Sequence, residues 1–82
     1  MAEVPYTDES ARAILQIFAE KNIRENEILM AGQVNLRFLE NPKYRAEDYA
    51  AGLSYAIEKG WLVNEGTKLR LTPTGFRELP QR

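Results

Sequence analysis

The hydrophobic pattern of this chain changes period once, near residue 60, and that change limits the folds open to it. Before it, apolar residues recur at three- and four-residue spacing, the repeat of a helix face. After it they alternate: Leu69 and Leu71 fall between Lys68, Arg70 and Thr72, the repeat of a strand with one side buried and the other solvated. Gly66 lies between two short runs, 61–64 and 68–72, where its tolerance of positive φ suits a hairpin turn. Helices first and a hairpin last predict an α+β chain, mainly α, in which the hairpin closes a helical core.

Three helical segments precede the change. Residues 8–21 place Ala11, Ile14, Leu15 and Phe18 on one face and Arg12, Gln16 and Glu20 on the other, with Thr7 or Asp8 expected as the cap. Residues 22–27 are polar apart from Ile23 and read as a connection. Residues 28–39 are apolar on nearly every side, which suits a short strand, 28–30, leading into a helix over 31–39. Glu40-Asn41-Pro42 ends that helix, because the residue before a proline is driven from helical geometry. Residues 45–59 form the third helix. Its expected buried face is Ala46, Tyr49, Ala50, Leu53, Ile57 and Gly60, and its expected solvent face Glu47, Asp48, Ala51, Ser54, Tyr55 and Glu58. Gly60 stops it. Thr72-Pro73 then reads as a cap and first helical residue, opening a short turn to Leu79. The expected core is Ile14, Leu15, Phe18, Leu36, Leu39, Leu53 and Ile57, lidded by Leu62, Leu69 and Leu71, with Trp61 packing at its edge.

Composition supports a folded chain and excludes much chemistry. The 82 residues, 44% apolar and 28% charged, read as one domain over 1–82 with an ordered core about 8–79. There is no cysteine and no histidine, so thiolate metal sites, disulfides, cysteine nucleophiles and the usual general base are absent. Ser10 and Ser54 have no base partner, and phosphate-loop, dinucleotide and calcium-loop signatures are missing. No enzyme, cofactor or metal site is expected. No stretch approaches the ~20 apolar residues of a membrane span, and the amino terminus lacks a secretory pattern, so a cytoplasmic protein without membrane contact is expected.

Two segments carry a resemblance. Ala56-Ile57-Glu58-Lys59-Gly60-Trp61-Leu62-Val63 is similar to the junction between third helix and wing in winged helix-turn-helix domains. Leu69-Arg70-Leu71-Thr72-Pro73-Thr74-Gly75-Phe76 resembles the Leu-Thr-x-x-Gly segment that closes the wing in many bacterial and archaeal regulators of that fold. With the helical pattern, the resemblance covers roughly residues 8–79. It implies three helices with a C-terminal two-stranded β-hairpin wing, and a DNA-binding or transcription-regulatory role.

On that reading Lys43, Tyr44, Arg45, Lys68 and Arg70 would meet the backbone of double-stranded DNA, with Ser54 and Tyr55 nearest the groove. The charge distribution gives modest support. Residues 1–40 hold seven acids against four bases, and residues 41–82 five against seven, within a net charge of −1. Ordinary surface solubility explains the same cations equally well. The third helix offers no Arg, Asn or Gln on its expected solvent face to read a base edge, while Glu47, Asp48 and Glu58 repel phosphate. The alternative is a protein partner or homodimer meeting Glu47, Asp48, Ala51, Tyr55 and Glu58, with Tyr55 at the centre of a small, flat patch that it forms with Ala51 and Gly52.

Overall fold

In a computed structural model, the structure is described for residues 5–79, with side chains from residue 7 onward. Helix α1 spans Pro5–Glu20, strand β1 Ile28–Met30, helix α2 Ala31–Leu39 and helix α3 Ala46–Glu58. Strands β2 (Leu62–Glu65) and β3 (Lys68–Leu71) form the hairpin, and the short helix α4 covers Pro73–Arg77. The chain is therefore α+β and mainly helical, with a three-stranded antiparallel sheet in the order β1-β3-β2. The sequence predicts the hairpin and an extended segment at 28–30. The pairing of that segment with β3, Leu29 opposite Leu69, is what the structure adds.

Local chemistry explains the junctions. Helix α3 ends in a Schellman turn: the Trp61 N–H donates to the Ala56 carbonyl at 2.9 Å and the Gly60 N–H to the Ile57 carbonyl at 3.0 Å. Gly60 takes φ +77°, the left-handed conformation the turn requires, and Gly66 takes the same angle in the hairpin. The Thr72 hydroxyl caps α4, accepting from the Gly75 N–H at 2.9 Å while donating to the Trp61 carbonyl at 3.0 Å. This one side chain ties the hairpin's exit to the end of α3. The expected cap on α1 is corrected: the helix already begins at Pro5, so Thr7 and Asp8 lie inside it. Asp8 instead pairs with Arg12 one turn on, at 3.3 Å.

The core combines Ala11, Ile14, Leu15, Ile17 and Phe18 of α1 with Val34 and Phe38 of α2, Ala56 of α3, and Trp61, Leu62, Leu69 and Leu71. The alternation of Leu69 and Leu71 with Lys68 and Arg70 thus places both leucines inside, as expected, and Trp61 packs at 6% exposure. Two helix phases are corrected. Leu36 is 70% exposed, and Leu39 and Ile57 also stand out to solvent, so none of the three belongs to the core. In α2 the inward residues are Val34 and Phe38. In α3 they are Gly52 and Ala56, with Tyr49 and Leu53 half-buried beside them, whereas Ala46, Ala50 and Gly60 are exposed. The cause is backbone proximity. A Cβ on Gly52 would lie 2.8 Å from the Ser10 carbonyl carbon, closer than carbon atoms approach, so α1 and α3 meet through their smallest residues. Larger side chains on the same arc would hold the helices apart.

Candidate interaction surface on the third helix

The buried arc of α3 fixes its outward one. Glu47, Ala50, Ala51, Ser54, Ile57 and Glu58 are all exposed and recur at three- and four-residue spacing. Ala50 and Ile57 are the members that sequence reasoning assigned to the inside; their spacing from Glu47 and Ser54 is the signal that identifies them. Asp48 is only half-exposed. Its carboxylate accepts from the Arg45 N–H at 2.8 Å, closing the amino end of the helix. Tyr55 is likewise half-buried rather than an exposed centre. Its ring meets Trp61 edge to face, with centroids 5.8 Å apart, and carries the Lys59 ammonium 5.3 Å above it. Arg12 covers Trp61 at 4.9 Å, so Tyr55 is one layer of a stack that joins α1 to the end of α3.

The residues expected to hold phosphate are dispersed among other duties. Lys43 pairs with Glu9 of α1, whose carboxylate also accepts from the Tyr44 hydroxyl at 3.3 Å. The Lys43 hydrogen bond holds the Glu9 carboxyl below the usual carboxylate range, against the opposing effect of burial. Tyr44 stacks on Phe38 with centroids 4.6 Å apart. Burial raises its hydroxyl pKa, with the Glu9 charge adding to the effect. Together these contacts pin the turn between α2 and α3 onto α1.

Arg70 is committed still further. Its guanidinium grips the Glu65 carboxylate through two nitrogens, at 2.6 and 3.0 Å, and donates to the Asn26 carbonyl at 2.6 Å. That fork holds the Glu65 carboxyl below the usual range. Arg45 and Lys68 enter no salt bridge with another described residue, and Ser54 is exposed on α3. Of the four cations expected to contact DNA, Lys43 and Arg70 are thus held in ion pairs with Glu9 and Glu65, while Arg45, just before α3, and Lys68, on β3, are exposed.

Chemically, the outer face of α3 is smooth. Three small side chains and one isoleucine lie between two glutamates, about 16 Å apart along the axis at 1.5 Å per residue. Among the described residues no group of three or more His, Cys, Asp or Glu is placed to hold a metal ion, and no helix is long and apolar enough to cross a membrane. No protein-family model, curated protein or solved structure matches the chain.

Proposed function

We propose that this chain is a winged-helix domain that works by protein contact, with the outer face of α3 as its docking surface. Support for the fold comes from the order α1-β1-α2-α3-β2-β3 and the β1-β3-β2 sheet, joined to the two segments that resemble the wing junction and wing closure. The observation that carries the functional reading is the composition of the exposed α3 face. Glu47, Ala50, Ala51, Ser54, Ile57 and Glu58 include no cation to neutralise phosphate and no Asn, Gln or Arg to read a base edge. Small side chains let another backbone approach closely, and Ile57 offers an apolar contact beside them. Glu47, Ala51 and Glu58 remain from the surface expected for a protein partner, while Asp48 and Tyr55 serve the fold.

A DNA reading retains one favourable observation, the exposed cations Arg45 and Lys68. Two phosphate contacts would give weak, sequence-independent and strongly salt-dependent binding. The protein reading is tested by placing a photo-crosslinking phenylalanine derivative at Ser54 in the native cell. A discrete protein adduct is expected, lost when Ala51→Arg intrudes on the face and retained when Lys68→Ala removes a remote cation. Absence of an adduct, or one indifferent to Ala51→Arg, contradicts the docking surface.

A further inference from the structure

The outward side of α2 combines exposed leucines with an unbalanced charge at each end. Leu36 is 70% exposed, the most open of the large apolar residues described, and Leu39 stands out to solvent one turn on. Gly32, Gln33 and Glu40 are exposed on the same side. An added Cβ on Gly32 would meet nothing within 4 Å, so the space above it is open. Helix α2 starts after Met30, whose side chain makes no cap, and its first turn holds no acidic residue. The positive end of its dipole is therefore left without a counter-charge. Glu40 stands at the opposite, negative end, where a carboxylate is disfavoured, and is offset there by Arg37 at 3.3 Å.

We propose that this face pairs with the same face of a second copy of the chain, the two α2 helices running antiparallel with a two-fold axis at Leu36. The axis sets Leu36 against Leu36 of the second copy. Toward one end, Leu39 lies over Gly32 of the second copy, where no side chain obstructs it. Beside it, the Glu40 carboxylate accepts from the Gln33 amide of the second copy and faces the uncapped first turn of that helix. The symmetry makes each of these contacts twice. Each Glu40, at the negative end of its own helix, thus gains the positive end of the other.

Charge selects a second copy for α2 and rejects one for the outer face of α3. A two-fold axis through the α3 row Glu47, Ala51, Ser54 and Glu58 would bring Glu47 against Glu58 of the second copy, like charge on like. Self-pairing through α2 therefore goes beyond the docking reading of α3, and the two can fail separately. One face of a nine-residue helix covers far less than the ~800 Å² per partner of a stable interface, so the dimer is weak and reversible.

The test is sedimentation equilibrium of the chain up to millimolar concentration. A monomer–dimer equilibrium with a Kd of about 0.1–1 mM is expected for so small an interface. Amide shifts of the ¹⁵N-labelled chain should move with concentration at Gly32, Gln33, Leu36, Leu39 and Glu40. Leu36→Arg sets two guanidinium groups together on the axis and should weaken the dimer about tenfold. Its thermal midpoint should match the parent's, because the side chain it replaces is exposed. Glu40→Lys turns attraction into repulsion at both helix starts and should cost about fivefold in affinity. Ala51→Arg should leave the equilibrium unchanged, which separates this surface from the outer face of α3. A chain that stays monomeric at millimolar concentration, a dimer indifferent to both Leu36→Arg and Glu40→Lys, or one abolished by Ala51→Arg would overturn the proposal.

Discussion

The seam between α1 and α3 and the corner made by α2 are built on opposite principles. At the seam, Gly52 and Ala56 bring one backbone against Ser10 and Ala11 of the other, leaving no space for an added methyl. At the corner, α2 buries only Val34 and Phe38, leaves Leu36 70% exposed, and borders an open groove. The first arrangement gains stability from close packing and tolerates no increase in volume. The second relies on a few large side chains and leaves apolar surface exposed.

The largest expected effect lies where α2 depends on one residue. Phe38 is 2% exposed and meets both Tyr44 and Tyr49, so Phe38→Ala should cost about 3–5 kcal/mol, as buried aromatics do. Urea unfolding should show a chain near or beyond its stability limit, since whole domains hold only about 5–15 kcal/mol. A loss under about 1 kcal/mol would mean that α2 is not anchored as described.

Next comes the glycine pair. Gly52→Ala should destabilise by about 1–3 kcal/mol, because its methyl would lie 2.8 Å from Ser10 backbone. Gly32→Ala, where the same methyl meets nothing within 4 Å, should instead stabilise by about 0.5 kcal/mol through helix propensity. Equal thermal shifts for the two would dissolve the contrast between seam and corner.

The smallest effect is electrostatic. Glu9 and Glu65 both titrate below the usual carboxylate range in the folded chain, through hydrogen bonds from Lys43 and Arg70. Protonation therefore favours the unfolded chain. The stabilisation is present above the ordinary carboxylate pKa and fades as the pH falls through the depressed folded values. Both pairs are exposed, so Glu65→Gln should move the acid midpoint only slightly. A shift of the midpoint toward lower pH in that variant would reverse the assigned sign.

Much of this fold is legible in residue order. Gly60, Gly66 and Thr72-Pro73 mark junctions because each satisfies a backbone demand that few other residues meet. Leu69 and Leu71 declare a buried strand face because period two leaves no freedom of phase. The phases of α2 and α3 are hidden for related reasons. Ala31, Val34, Leu36, Phe38 and Leu39 surround α2 so evenly that hydropathy selects no side, and the choice depends on the β1–β3 pairing that precedes the helix. In α3 the inward residues are the smallest ones, so the sequence reading assigns Ile57 inward and sets Gly52 in the outward patch beside Ala51 and Tyr55, whereas Gly52 is buried against α1. The surface follows the same logic. Tyr55 is half-buried because Trp61 folds back on it after the Gly60 turn, and Arg70 is occupied because hairpin register sets Glu65 within reach. Charge counts register neither event.

The central claim is that the outer face of α3 meets protein and not DNA, and the most direct measurement is a titration with mixed-sequence duplex DNA followed by amide shifts at two salt concentrations. The account predicts no saturable shift at Glu47, Ala50, Ala51 or Ser54 at about 150 mM salt. At low salt it predicts only weak changes near Arg45 and Lys68, which vanish as salt screens them. Saturable shifts along α3 at the higher salt, with a log K against log salt slope of more than about two phosphate contacts, would contradict it.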